Sequence, residues 1–144
     1  MKFILIYRVL AVLYLLLVIL SFVGHLMFIF GDVVVATEIS RSMIVFLLVG
    51  FGVVFFEYRK YPENFADNPK ILGYNIDNPV LKFIESLLSV YAFLMVLIVF
   101  YDPDVEFLPK DMIFDYGVSG VMLLFVFSLV PLFEYRRKML EENG

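Results

Sequence analysis

Four long apolar runs, separated by short polar segments, organise the chain. The first, at 9–30, holds 22 residues without a charged side chain. Others follow at 42–56, 83–101 and 113–133. A hydrocarbon core of about 30 Å needs roughly 20 helical residues at a rise of ~1.5 Å each. The first, third and fourth runs meet that requirement. The second, strictly 15 residues, is predicted to extend backward through "VVVATEIS". Apolar residues fall on every face of these segments, which implies contact with lipid or with neighbouring helices. The pattern predicts an all-α integral membrane protein, one domain over 1–144 with four transmembrane helices and a polar loop at about 57–82.

Composition agrees. Of 144 residues, 62% are hydrophobic, and the mean hydropathy is +0.94. A soluble domain carries about 45–50% apolar residues, so this chain lacks the polar surface to cover a water-soluble globule. There is no cysteine, which removes disulfides, thiolate metal sites and cysteine nucleophiles. The N-terminal stretch resembles a secretory signal in outline. Its apolar run is longer than the roughly 7–15 residues of a signal core and has no A-x-A site, so it reads as a retained first span.

Charge sets the predicted direction. With four crossings, Lys2, Arg8, Arg59, Lys60, Lys70, Lys82, Arg136, Arg137 and Lys138 share one side, and only Arg41 and Lys110 take the other. Positive residues favour the cytoplasmic side, so both termini are expected there. In the central loop, Asp67-Asn68-Pro69 and Asp77-Asn78-Pro79 each resemble a helix start, with Asn as N-cap and Pro following. The second copy is expected to launch the third span, and the first a short surface turn, "PKILGY".

A local repeat stands out. "FEYRK" begins at Phe56 and "FEYRR" at Phe133, an offset of 77. At the same offset Tyr14 falls on Tyr91 and Ser42 on Ser119. Two helices per copy would preserve orientation, so the chain can be read as two parallel-repeat helical hairpins. The competing reading is the same membrane boundary written twice. Aromatic side chains suit the interface, and Arg59 and Arg136 can extend to headgroups. Glu57 is placed to pair with Lys60, and Glu134 with Arg137 or Lys138, along one helix face.

Three further positions carry candidate chemistry. His25 is the single histidine, near the far end of the first span, and is expected to bond a neighbouring helix. Glu85 is expected close to the membrane boundary, paired with Lys82. Asp115 opens the fourth span, where an acid suits the helix N-terminus. Small residues at Gly50, Gly52, Gly117 and Gly120 predict close helix contact. On this reading no acid or base falls near the centre of any span, where a proton-coupled transporter or rotor-ring subunit would need one. No catalytic, cofactor or metal set is predicted, and nothing suits a nucleic acid.

The expected function is therefore non-enzymatic: an accessory or scaffold subunit, surrounded by the lipid bilayer and other membrane subunits. A homo-oligomeric pore or small-solute transporter is the alternative. A third is a subunit of an enzyme whose chemistry lies on a partner.

Overall fold

The computed structural model describes residues 2–65, 79–101 and 112–143. Four helices follow in order: α1 (Lys2–Phe30), α2 (Val33–Lys60), α3 (Pro79–Tyr101) and α4 (Ile113–Asn143). A 3-10 turn, Pro62–Phe65, follows α2. All four are long and apolar enough to cross a membrane. The fold is the all-α, four-helix membrane architecture that the hydropathy pattern predicts.

Several helix boundaries lie outside the apolar runs, because polar residues there still satisfy the helical backbone. Asp32 caps α2, its Oδ1 accepting from the amides of Val34 at 2.9 Å and Val35 at 3.4 Å. Such a cap meets donors that the first turn leaves open. The hydroxyls of Thr37 and Ser42 donate to the carbonyls of Val33 and Glu38, so the polar stretch before position 42 is helical. α3 begins at Pro79, four residues before the expected 83. Pro at the first helical position leaves no amide unsatisfied. The rest of the Asp-Asn-Pro repeat and "PKILGY" lie outside the described residues. α4 passes through Pro131 and runs on to Asn143.

α4 is the centre of the bundle. It packs against α1, α3 and α2. The ion pair between Arg8 and Glu141, at 3.0 Å, also ties the start of α1 to the end of α4. α3 leans chiefly on α4, with no comparable packing against α2. The contact between α1 and α4 therefore has no counterpart between α3 and α2, and the two hairpins are not packed as reciprocal copies.

The inward faces follow a spacing of three and four residues. In α1 the buried positions include Tyr7, Ala11, Tyr14, Leu17, Ser21, His25 and Phe28. In α2 they are Ala36, Met43, Leu47, Gly50, Val54 and Glu57. This is the spacing of left-handed helix packing. Outward positions such as Val12, Leu16, Leu48 and Phe55 are exposed. Polarity is thus inverted relative to a soluble bundle, with Tyr, Ser, His, Gly and Glu turned inward and Leu, Val and Phe outward.

Glycines set the closest approaches. A Cβ at Gly24 would meet Ile39 Cγ2 at 2.6 Å, and one at Gly50 would meet Leu129 Cδ1 at 2.9 Å and Tyr14 at 3.1 Å. Gly117 faces Val99 and Met95, and Gly120 faces Met95 and Tyr91. Gly52 departs from the expectation of close contact, having nothing within 4 Å.

Candidate functional site

The buried polar groups gather at two levels. At the end of the bundle carrying the termini, Tyr7 of α1, Glu57 of α2 and Arg136 of α4 meet with relative exposures of 0%, 0% and 2%. Arg136 donates to Glu57 Oε1 through Nη2 at 2.6 Å and Nε at 3.0 Å. The Tyr7 hydroxyl donates to the same oxygen at 3.0 Å. Glu57 Oε2 is buried without a hydrogen-bond partner. All three donors therefore converge on one oxygen, and three helices are joined there.

This geometry corrects two expectations. Glu57 does not pair with Lys60 along its own helix. Lys60 Nζ lies over the rings of Phe56 and Tyr61, each at 5.6 Å. Nor does Arg136 reach outward to headgroups, because it faces the seam where α4 meets α1 and α2. The two "FEYR" blocks take different roles. Glu57 is buried and paired across helices, whereas Glu134 is half-buried and bonds Arg137 Nη2 at 2.7 Å, as expected. Arg136 is buried, whereas its counterpart Arg59 is exposed and has no ion pair among the described residues.

The triad sits on an aromatic floor. The Phe133 ring stacks on Tyr7 at 5.9 Å and meets the edge of Tyr14 at 5.0 Å. The Tyr14 hydroxyl donates to the carbonyl of Phe46 in α2, and Gly50 leaves room for that ring.

The second cluster lies toward the opposite end. His25 is bonded to neighbouring helices, as expected, through both ring nitrogens. Nδ1 hydrogen-bonds with Ser119 Oγ of α4 at 3.2 Å, and Nε2 with the Tyr91 hydroxyl of α3. Tyr91 in turn hydrogen-bonds with Tyr116 at 3.1 Å. The Tyr116 ring stacks on the imidazole, with centroids 4.5 Å apart. α1, α3 and α4 are linked here as α1, α2 and α4 are at the other end.

Between the clusters the core consists of Leu17, Met43, Leu47, Val126, Leu129 and Val130. Among the described residues no group of three His, Asp or Glu side chains is placed to hold a metal ion. Asp115 is half-buried in the first turn of α4, where the helix end favours an acid.

Glu85 does not form the expected pair with Lys82. The contacts of Gly117 with Val99 and of Gly120 with Met95 and Tyr91 fix the antiparallel register of α3 on α4. Continued along the helices, that register places Glu85 level with Ser128. Ser128 is nine residues beyond the Ser119 that bonds His25 and eight before the Arg136 that bonds Glu57. At ~1.5 Å per residue, Glu85 is about 12–14 Å from each cluster along the bundle. It is the seventh of the 23 residues of α3. It is half-buried, and its carboxylate has no hydrogen bond or ion pair among the described residues, Lys82 included. α3 begins earlier than hydropathy indicates, and its packing on α4 sets the register.

Tyr7, Tyr91, Tyr116 and Ser119 escaped the sequence reading as functional partners. One signal was available. Tyr7, Tyr14, Ser21 and Phe28 recur every seven residues, with His25 on the same face. Polar residues repeating at that interval along an otherwise Leu- and Val-rich span mark its inward seam. Comparison with known protein families, with curated proteins and with solved structures finds no significant match to this chain.

Proposed function

We propose that the chain is a non-enzymatic accessory or scaffold subunit of a larger membrane assembly. One observation carries this reading. The two buried polar clusters are engaged across helices, and an apolar layer separates them. Those groups hold α1, α2 and α4 together at one level and α1, α3 and α4 at the other. A water-filled path through the protomer would need polar groups at the intervening level facing a common space. Instead, Leu17, Leu47, Val126 and Leu129 fill it. An exterior of Leu, Val and Phe then suits contact with lipid and with other subunits.

The bundle end that bears Arg8, Arg59, Lys60, Lys82 and Arg136 to Lys138 faces the cytoplasm in this proposal, together with both termini, by the positive-inside rule. The isolated chain reconstituted in liposomes is expected to conduct protons, monovalent ions and small polar solutes no faster than empty vesicles. It is expected to co-purify with unlike subunits from its native membrane in mild detergent. Flux by a homo-oligomer of this chain would overturn the scaffold reading in favour of a pore.

A further inference from the structure

The two "FEYR" blocks dispose of their cations in opposite ways. In α4, Arg136 is turned inward onto Glu57. The next residue, Arg137, bonds Glu134 and Glu141, and Glu141 also holds Arg8. In α2, Arg59 and Lys60 are consecutive and exposed, and neither has an ion pair among the described residues. Of the neighbouring acids, Glu57 is engaged by Arg136, and Glu63, in the turn that follows α2, pairs with neither cation.

Each of these cations stands above an exposed ring. Residues four apart share one face of a helix. Phe55 lies one turn before Arg59 and Phe56 one turn before Lys60, and the two rings are 57% and 55% exposed. Lys60 Nζ is 5.6 Å from the centroids of both Phe56 and Tyr61. Phe3 of α1 packs against the same two rings, at 6.2 and 5.8 Å. The ammonium is thereby held at the lip of an aromatic shelf. Along the surface of α2 the order is apolar ring and then cation, which matches acyl chain and then phosphate in a phospholipid. In α4 the equivalent of Phe55 is Leu132 and that of Phe56 is Phe133, and both are buried. That copy offers no such surface.

We propose that the C-terminal end of α2 binds an anionic phospholipid, with its phosphate against Arg59 and Lys60 and its acyl chain along Phe55 and Phe56. Two uncompensated cations favour a lipid of net negative charge. In a zwitterionic lipid the headgroup amine offsets the phosphate. A lipid fits better than an acidic protein segment, because the cations close an apolar span and long basic side chains reach from such a span to the headgroups. Lipid binding here does not depend on the accessory-subunit reading.

The test uses the delipidated full chain in mild detergent, offered an equal mixture of phosphatidylglycerol and phosphatidylcholine with the same acyl chains. Native mass spectrometry counts the lipids retained. A basic residue near an anionic headgroup is worth about fivefold in binding, so we expect the first retained lipid to be phosphatidylglycerol by at least about fivefold. Arg59→Gln combined with Lys60→Gln should bring that ratio to about one. Lys138→Gln removes another exposed cation at the same end of the bundle and should leave it unchanged. Equal retention of the two lipids by the unmodified protein overturns the proposal, and that comparison needs no variant to fold. An equal fall with Lys138→Gln also overturns it, in favour of diffuse surface charge. Displacement of the lipid by glycerol phosphate at the same concentration overturns it in favour of a site for free phosphate. Equal lipid retention, with unlike subunits lost from the native-membrane complex of the double variant, overturns it in favour of an acidic protein segment.

Discussion

Arg136→Met isolates the energetics of the three-helix lock. The guanidinium is 2% exposed and gives two of the three hydrogen bonds to Glu57 Oε1. Without it, Glu57 keeps the Tyr7 hydroxyl at 3.0 Å as its donor, and an uncompensated carboxylate remains inside the bundle. Breaking a buried pair from one side costs about 3–5 kcal/mol. Glu57→Leu leaves an unpaired guanidinium and should cost a comparable amount. The double variant removes both charges and fills the site with apolar volume. Such replacements are often neutral or stabilising, so it should lie within about 1 kcal/mol of the unmodified protein. The measurement is reversible unfolding in mixed micelles, followed by helical circular dichroism, over the full double-mutant cycle. The non-additive energy should exceed ~2 kcal/mol, a value typical of directly coupled groups. Single substitutions that each cost less than ~0.5 kcal/mol, or effects that simply add, would refute the lock.

Further outcomes follow from the same contacts. Tyr7→Phe should cost about 1 kcal/mol in the same assay, since the carboxylate oxygen retains its two guanidinium donors. Gly24→Ala should cost about 1–3 kcal/mol, because the new methyl meets the stiff β-branched Ile39. Gly52→Ala faces open space and should be neutral or stabilising by up to ~1 kcal/mol through helix propensity. His25→Ala should cost about 2–4 kcal/mol by opening a cavity and leaving Ser119 and Tyr91 without their shared partner. A loss below ~0.5 kcal/mol would remove the structural role of that cluster.

Much of the fold was legible because a membrane imposes length. Runs of Leu, Val, Ile and Phe near 20 residues admit few other structures, and four such runs recur along the sequence. Boundaries were less legible. Hydropathy ends a span at the first charge, whereas the helix ends where its backbone bonds end. Asp32 and Pro79 carried the start signals for α2 and α3, outside the apolar runs.

The site was legible only in part. Glu57 and Arg136 were both visible as candidates, yet the interval between them is 79 residues. Local rules of helix pairing direct Glu57 to Lys60, and nothing nearby indicates α4. Glu134, with a true local partner in Arg137, obeyed those rules. Identical residue blocks therefore have different surroundings, since the packing of α1 on α4 is not repeated by α3 on α2. The register of α3 on α4 likewise depends on the close approaches at Gly117 and Gly120.

Native mass spectrometry of the chain, extracted from its own membrane with the surrounding lipid, tests the accessory-subunit proposal most directly. The predicted result is a particle containing this chain together with unlike membrane subunits in fixed ratio. A particle built from copies of this chain alone would contradict it.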